Sequence, residues 1–594
     1  MSKKDNFKET IKIIKFFKED PLILIFHIFV GFLCSALVIV SSYFVGETIN
    51  LATTSINLNT KEFLKILYAS LIIISLYTTY WLLNTKLLIW TIKLSYRSGS
   101  RIRYAIFTKL LNIPISYIDK SKLGELMSRT TNDVDMMIAN MVQVVFGFFT
   151  SPIIIFSILV TNFIISPLLS VVALFFILLI LLVTGIIAKK SSPNFDEMQK
   201  KVGQLNSLNK EYIFNKLPIY VFGKQKDIKN NYYKINNQHK ESSYKAEYKI
   251  GLVYPSLDIL ENITYASLIA IGIIFFTFNV PHGGVIKLSW GTITTFVLLN
   301  RMLLGEIGFI SRFASLYEKL FVCAKRIMEI LNEVDDIDQG TKSLDIIKGD
   351  IKFENVSFSY IKDKPIIKNF NLNVKAGQTI GIVGPTGSGK STIMNLLMRF
   401  YELDSGKITI DGIDIKEIKK DELRKHISIV LQETNLFNES IYTNISYGHH
   451  ENIFDKEKIH YAAHQIGSEH FINVLPNSYE TIIDDRISIS QGEAQLLALT
   501  RAYYSPSSIM ILDEATSSID SKTEQDIQIG MNKLMKEKTS FVIAHRLSTI
   551  KDADLIVVLK DGEILEQGNH QQLIDKNGFY AKMYTSNLNM SDDE

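Results

Sequence analysis

The feature that most constrains this chain is a set of long stretches without Asp, Glu, Lys or Arg within its first 320 residues. Pro21 to Gly46 holds none of these residues. A second gap lies between Lys65 and Lys86, and a much longer one between Asp135 and Lys189. About 20 apolar residues span a bilayer as a helix, because hydrocarbon leaves the backbone no other hydrogen-bond partner. The longest gap holds two spans, with a break at Thr161-Asn162 and Ser166-Pro167. A fifth runs from about Ile263 to Asn279 and a sixth starts near Leu288. Six spans are expected. The first twenty residues are lysine-rich and read as a surface elbow helix. The apolar run that follows is too long for a signal-peptide core, so it is expected to be a retained span.

Lys and Arg crowd the N-terminus and the segments 93–129 and 189–249, whereas the connections near 47–62, 161–167 and 279–290 are nearly free of them. That asymmetry predicts that both termini are cytosolic. The two basic connections are long and helix-rich, so the membrane helices are expected to extend into the cytosol. Arg301 and Glu306 interrupt the sixth span, and Asp258 and Glu261 share a face of the fifth. Charges in such places are candidates for a transport cavity; cytosolic helix extensions or an interface are the alternative. The formal net charge of +3 gives no sign of a global nucleic-acid binder, and Cys34 and Cys323 make neither a disulfide framework nor a metal site.

The division expected is a membrane domain over 1–335, a polar linker over 336–349, a soluble domain over 350–586 and an acidic tail over 587–594. In the soluble part, strand-like runs at Ile351–Tyr360, Thr379–Val383, Ile427–Leu431, Ser508–Leu512, Ser540–Ile543 and Leu555–Leu559 alternate with helix-like ones. That pattern predicts a largely parallel α/β sheet.

Gly384-Pro385-Thr386-Gly387-Ser388-Gly389-Lys390-Ser391-Thr392 reads G-x-x-x-x-G-K-[ST] between a strand-like and a helix-like run, the phosphate-loop pattern. Glycines let backbone N–H groups close around an anion at a helix N-terminus. Lys390 reaches the outer phosphates and Ser391 can ligate Mg²⁺. Ser508 to Glu514 is a buried strand ending in two carboxylates, Asp513 for Mg²⁺ and Glu514 to take a proton from the attacking water. Gln432, at another strand end, is a candidate for sensing Mg²⁺ and that water. His545 could contact the γ-phosphate or orient Glu514, and Tyr360 could stack on an adenine ring.

Ile489-Ser490-Gln-Gly492-Glu-Ala-Gln495, continuing to Arg501-Ala502, resembles the signature of the ATP-binding cassette (ABC) family, with Ile489 at a position usually Leu. With the phosphate loop, Asp513-Glu514 and His545 in that order, the chain resembles exporter-type half-transporters over nearly its whole length. The resemblance implies a six-span α-helical transmembrane domain followed by an α/β P-loop nucleotide-binding domain. It implies an ATPase using ATP and Mg²⁺, with Ser490 and Gly492 binding the γ-phosphate of ATP held by a partner subunit. Tyr117–Gly124 and Asn215–Phe222 resemble the two coupling helices, the second of which docks on the partner in this family. Two departures stand out. Thr481-Ile-Ile-Asp-Asp-Arg486 lacks the family's usual acidic, glycine-bearing wording, and the sixth span lacks its common proline near Leu304–Gly308.

The expected function is ATP-driven export of a hydrophobic or amphipathic drug, lipid or peptide by a dimer in a bacterial cell membrane. An importer of the same architecture, or a regulatory ATP-binding subunit that does not pump, stands as the alternative. Homodimer and heterodimer remain open, as does the cargo.

Overall fold

In the computed structural model, residues 21–591 are described except for 55–59, 345–346, 433, 448–454, 485–486, 488, 514–520, 537 and 545–546. The elbow helix expected over 1–20 lies outside the described residues. The chain divides into two compact units, one of residues 1–111 and 123–333, the other of residues 112–122 and 334–594.

The first unit is helical. It comprises α1 (Pro21–Thr54) and α2 (Thr60–Asn112), which runs on to the unit's edge; the short α3 (Ile115–Lys120) belongs to the second unit. Then come α4 (Leu123–Thr130), α5 (Asn132–Val145), α6 (Ser151–Ile165), α7 (Pro167–Phe214), α8 (Lys216–Val221), α9 (Gln225–Gly251), α10 (Val253–Thr277) and α11 (Trp290–Leu331). Six segments among the described residues are long and apolar enough to cross a bilayer. Two of the helices far exceed what a crossing needs. The 53 residues of α2 extend about 80 Å and the 48 of α7 about 72 Å, against roughly 30 Å of hydrocarbon.

The break expected near Ser166 has a local cause. Ser166 is extended, its hydroxyl accepts from the Leu169 N–H at 3.3 Å, and Pro167 opens the next helix. Between α5 and α6 the chain makes a single π-helical turn, Phe146–Thr150, which the sequence did not signal. Arg129 and Asp133, in a stretch with little meaning in sequence, anchor an ion network. Arg129 bonds Glu125 at 2.8 Å and Glu329 at 3.1 Å, and Arg326 bonds the buried Asp133 at 3.2 Å. Asp258 and Arg301 are exposed, and Glu261 and Glu306 half-buried.

Small residues let α1 and α11 touch backbone to backbone. A Cβ on Gly46 would lie 2.4 Å from the Gly291 carbonyl oxygen, and one on Gly291 would lie 2.1 Å from that of Gly46. The crossing is fixed by polar contacts: the Gly291 N–H donates to Asn50 Oδ1 at 2.7 Å, and the Thr295 hydroxyl to the Ser42 carbonyl at 3.1 Å.

Among the described residues the second unit has two sheets. The larger, in order β10-β9-β3-β8-β7-β6, is parallel except for its edge pair β9/β10. Its strands are β3 (Thr379–Val383), β6 (Ile427–Val430), β7 (Ile509–Asp513), β8 (Thr539–Ile543), β9 (Leu555–Lys560) and β10 (Glu563–Gly568). The smaller is an antiparallel sheet that the strand pattern did not predict, in order β2-β1-β4-β5, from β1 (Ile351–Phe358), β2 (Ile367–Val374), β4 (Ser405–Ile410) and β5 (Ile413–Asp414). In β2, Asn369, Asn371 and Asn373 take the outward positions and hide the strand signal, since Asn is depleted in strands. Helix α12 (Lys390–Leu397) sends Ile393, Leu396 and Leu397 into a core shared with both sheets. The final helix continues to Ser591, so residues 587–591 of the expected tail form its last turns.

The segment expected as a linker is tied to the second unit. The buried Arg399 bonds Asp338 at 3.2 Å and the carbonyls of Ile415 and Ile418, and Lys420 bonds Asp336 at 2.5 Å. Burial raises the Asp338 carboxyl, but N–H groups of Gly340 and Lys420 together with Arg399 outweigh it and leave the pKa below 3.8.

Two outcomes follow from this packing. Gly46→Leu forces the crossing apart and should cost about 1–3 kcal/mol, read as a lower melting temperature of the detergent-solubilised protein. A carboxyl depressed on folding contributes stability that is full above its unfolded pKa and is lost as pH falls through the folded value. The melting-temperature advantage of wild type over Asp338→Asn should therefore be constant above pH 3.8 and shrink below it.

Candidate nucleotide site

Three of the strand ends that carry the expected chemistry, those of β3, β6 and β7, lie at one edge of the larger sheet. In a parallel sheet the loops beyond the C-terminal ends of the strands form the binding edge. The phosphate loop follows β3, Asp513 ends β7, Gln432 lies two residues past β6, and Asp513 is in register with Ile543, the last residue of β8. Glu514 and His545, the expected base and the expected γ-phosphate contact, lie outside the described residues.

The loop is shaped by three glycines in the left-handed or positive-φ region: Gly384 at 155°, Gly387 at 81° and Gly389 at 101°. Gly384 is required for a second reason, since a Cβ there would come within 2.2 Å of the Leu559 carbonyl oxygen. Pro385, Thr386 and Gly387 are exposed and Ser388, Gly389 and Lys390 buried. Gly389 caps α12, whose first N–H groups have no intrahelical partner and face the loop.

Two buried groups in this cradle are short of partners that an anion would supply. The Ser388 side chain is 3% exposed and its hydroxyl has no hydrogen-bond partner among the described residues. Among the described residues the Lys390 ammonium bonds two carbonyl oxygens, Gly384 at 2.8 Å and Pro385 at 3.1 Å. Burial lowers its pKa, and the charge of Asp513 opposes that shift. Ser391 is exposed, with its side chain open to a ligand. Orphaned donors, a helix N-terminus and nearby oxygen ligands fit a magnesium-bound triphosphate.

Tyr360 is half-buried. Its ring meets Tyr401 edge-on at 4.9 Å, and its hydroxyl donates to Thr392 Oγ1 at 3.4 Å and accepts from Asn395 Nδ2 at 3.3 Å. Sequence reasoning gave Tyr401 no role; its only signal is an aromatic position just beyond α12.

The signature builds a helix start of its own. Ser490 caps the helix Gln491–Tyr504 in a capping box, its hydroxyl accepting from the Glu493 N–H at 3.2 Å while Glu493 Oε2 accepts from the Ser490 N–H at 2.8 Å. Ser490 is exposed at this N-terminus and Gly492 is buried. The helix packs against β6. In the sheet order, β6 stands three strands from β3, about 14 Å at the usual spacing.

Comparison with known proteins agrees with this architecture. Residues 24–307 match the ABC transporter transmembrane region and residues 367–517 the ABC transporter model. The chain is 36% identical over 487 residues to a fatty acid ABC transporter ATP-binding/permease protein of Mycobacterium bovis, covering 81% of this chain and 75% of that one. It is 32% identical over 486 residues to an ATP-dependent lipid A-core flippase of Aliivibrio fischeri, covering 82% of each. A solved bacterial Atm1-family ABC exporter with ATP bound shares the fold, with a TM-score of 0.76, 24% identity, and coverage of 95% and 98%. The chain belongs to the ABC transporter family. It is a multi-pass membrane half-transporter of exporter type that binds and hydrolyses ATP.

If the buried ammonium awaits phosphate oxygens, Lys390→Ala should weaken ATP binding about 10- to 100-fold, the loss of a charge-assisted hydrogen bond. Titration of the purified protein with a fluorescent ATP analogue measures it.

Proposed function

We propose that this half-transporter works as a dimer that sandwiches two ATP molecules and exports an amphipathic cargo, with a lipid as the cargo class. One observation carries the dimer. The signature helix stands three strands from the phosphate loop of its own chain, so each chain offers half of two sites. A second supports it. Around α8, Phe214, Leu217, Val221 and Phe222 are all 70% or more exposed, an apolar surface on the stretch that resembles the family's partner-docking helix. A cleft of about 310 Å³ lined by Leu431, Asn435, Tyr447 and Arg501 offers a concave partner for it on the second subunit. The relatives named for fatty acid and lipid A-core favour a lipid cargo.

In the closed dimer, Lys390 and the α12 N-terminus hold the phosphates, Ser490 and Gly492 of the opposite subunit close over them, and Tyr360 receives the adenine. Ser391, Asp513 and Gln432 would hold Mg²⁺, which neutralises charge on the outer phosphates. Glu514 accepts the proton of the attacking water, and His545 contacts the γ-phosphate or orients Glu514. We place the protein in a bacterial cell membrane with both termini cytosolic, on the basis of the basic loops. The intact set of site residues permits a homodimer.

The test is the mass and ATPase rate of the chain purified alone in nanodiscs, beside Glu514→Gln. A dimer whose turnover falls at least 100-fold in the variant, with ATP binding kept, is the expected result. An inactive monomer overturns the homodimer, and a rate indifferent to the substitution overturns the role of Glu514.

A further inference from the structure

Tyr401 lies just beyond α12, and three observations meet on it. Its ring is edge-on to Tyr360 at 4.9 Å and 88°, and it packs on Phe358 at 5.5 Å. Phe358 in turn meets Tyr360 at 4.9 Å. Its hydroxyl donates to Asp119 Oδ2 at 2.5 Å. Asp119 lies on α3, the short helix between α2 and α4, which folds with the second unit and is anchored there by the Asp336 N–H donating to the Asn112 carbonyl at 2.7 Å.

We propose that Tyr401 is a positioning residue that holds the Tyr360 ring for the adenine and, through its hydrogen bond to Asp119, makes the order of α3 depend on whether a base is bound. This rests on the reading of the nucleotide site above. The geometry is that of a relay with two faces. On one side, edge-to-face packing restricts the Tyr360 ring to one tilt, and a base stacking there narrows the motion of both rings. On the other, the Tyr401 hydroxyl is the donor that ties the exposed Asp119 carboxylate down. Burial, the hydrogen bond and the charge of Asp119 all push the hydroxyl's pKa up, so it remains a donor at neutral pH. A phosphate bound in the loop without a base reaches Tyr360 through the Thr392 hydroxyl at most and leaves the ring face without a stacking partner, so the relay stays slack. The same chain of contacts separates two kinds of information: the loop registers phosphate, and α3 registers the complete nucleotide. In chain order α3 lies between α2 and α4.

Hydrogen exchange on the full-length protein in nanodiscs tests this, with peptides covering 112–122 and 384–392 followed with ATP or with inorganic tripolyphosphate. In wild type, ATP should slow exchange in both segments, and tripolyphosphate should slow it in the loop only. Tyr401→Phe, which keeps the ring and removes the donor, should retain loop protection and reduce the ATP-dependent protection of 112–122 about fivefold, the worth of one hydrogen bond. Asp119→Asn keeps an acceptor and should behave as wild type, whereas Asp119→Ala should behave as Tyr401→Phe. Protection of 112–122 that is equal in wild type and Tyr401→Phe, or equally strong with tripolyphosphate, overturns the proposal. Failure of ATP to protect 384–392 in wild type overturns the nucleotide-site reading instead.

Discussion

The second unit depends on one close approach of backbone to backbone. Gly384 turns the chain out of β3 at a φ of 155°, where a Cβ would come 2.2 Å from the Leu559 carbonyl of the adjacent β9. Because that space is empty, the loop closes over the strand end and delivers Gly389 to the start of α12. From there the helix N-terminus, the Ser388 hydroxyl and the Lys390 ammonium converge. The energetics favour a ligand: a buried donor without a partner costs about 1–3 kcal/mol, and a buried ammonium whose hydrogen bonds among the described residues go to carbonyls gains from charged acceptors. An anion held in this cradle would satisfy such groups.

The first unit obeys a different constraint. Apolar surface gives no driving force between helices inside hydrocarbon, so packing and buried polar contacts must hold them. The Gly46–Gly291 crossing illustrates this, with Asn50 and Thr295 satisfying backbone groups on either side. The buried His27 ties α1 to α2 side chain to side chain, its Nε2 lying 2.7 Å from Thr91 Oγ1. At the far end of α11 the contacts become ionic, as Arg129, Asp133, Arg326 and Glu329 bind one another.

Charge in the second unit serves a related end. Arg399, 4% exposed, gathers Asp338, Glu402 and two carbonyls around one guanidinium. A buried cation is tolerated only when so surrounded, and removing one partner would leave it uncompensated. The segment from Asp336 to Lys342 is fixed by these bonds even though its sequence is polar and without periodicity. Arg399 also lies immediately beyond α12, so the same residue fixes this entry segment and the end of the phosphate-loop helix.

Much of this was legible in the sequence because it follows from short-range rules. The absence of charge over Pro21–Gly46 and 136–188 requires helices in a bilayer. Gly384 to Thr392 sets a loop by its own torsions, and Ser490 with Glu493 sets a helix start by reaching three residues along the chain. What only the tertiary structure decided are relations between distant segments. β2 was hidden by its outward asparagines and is defined by pairing with β1. The π turn at Phe146–Thr150 left no pattern. The order β3-β8-β7-β6, which keeps signature and phosphate loop apart, is a property of strand pairing, to which periodicity is blind. Tyr401 and Asp119 stand 282 residues apart in the chain, and no local signal joins them. The sequence by itself determined the spans, the phosphate loop and the capped signature helix, since each is set by neighbours in the chain. The tertiary structure decided which strand ends share one edge and which aromatic ring faces which carboxylate, because those depend on packing that brings remote residues into contact.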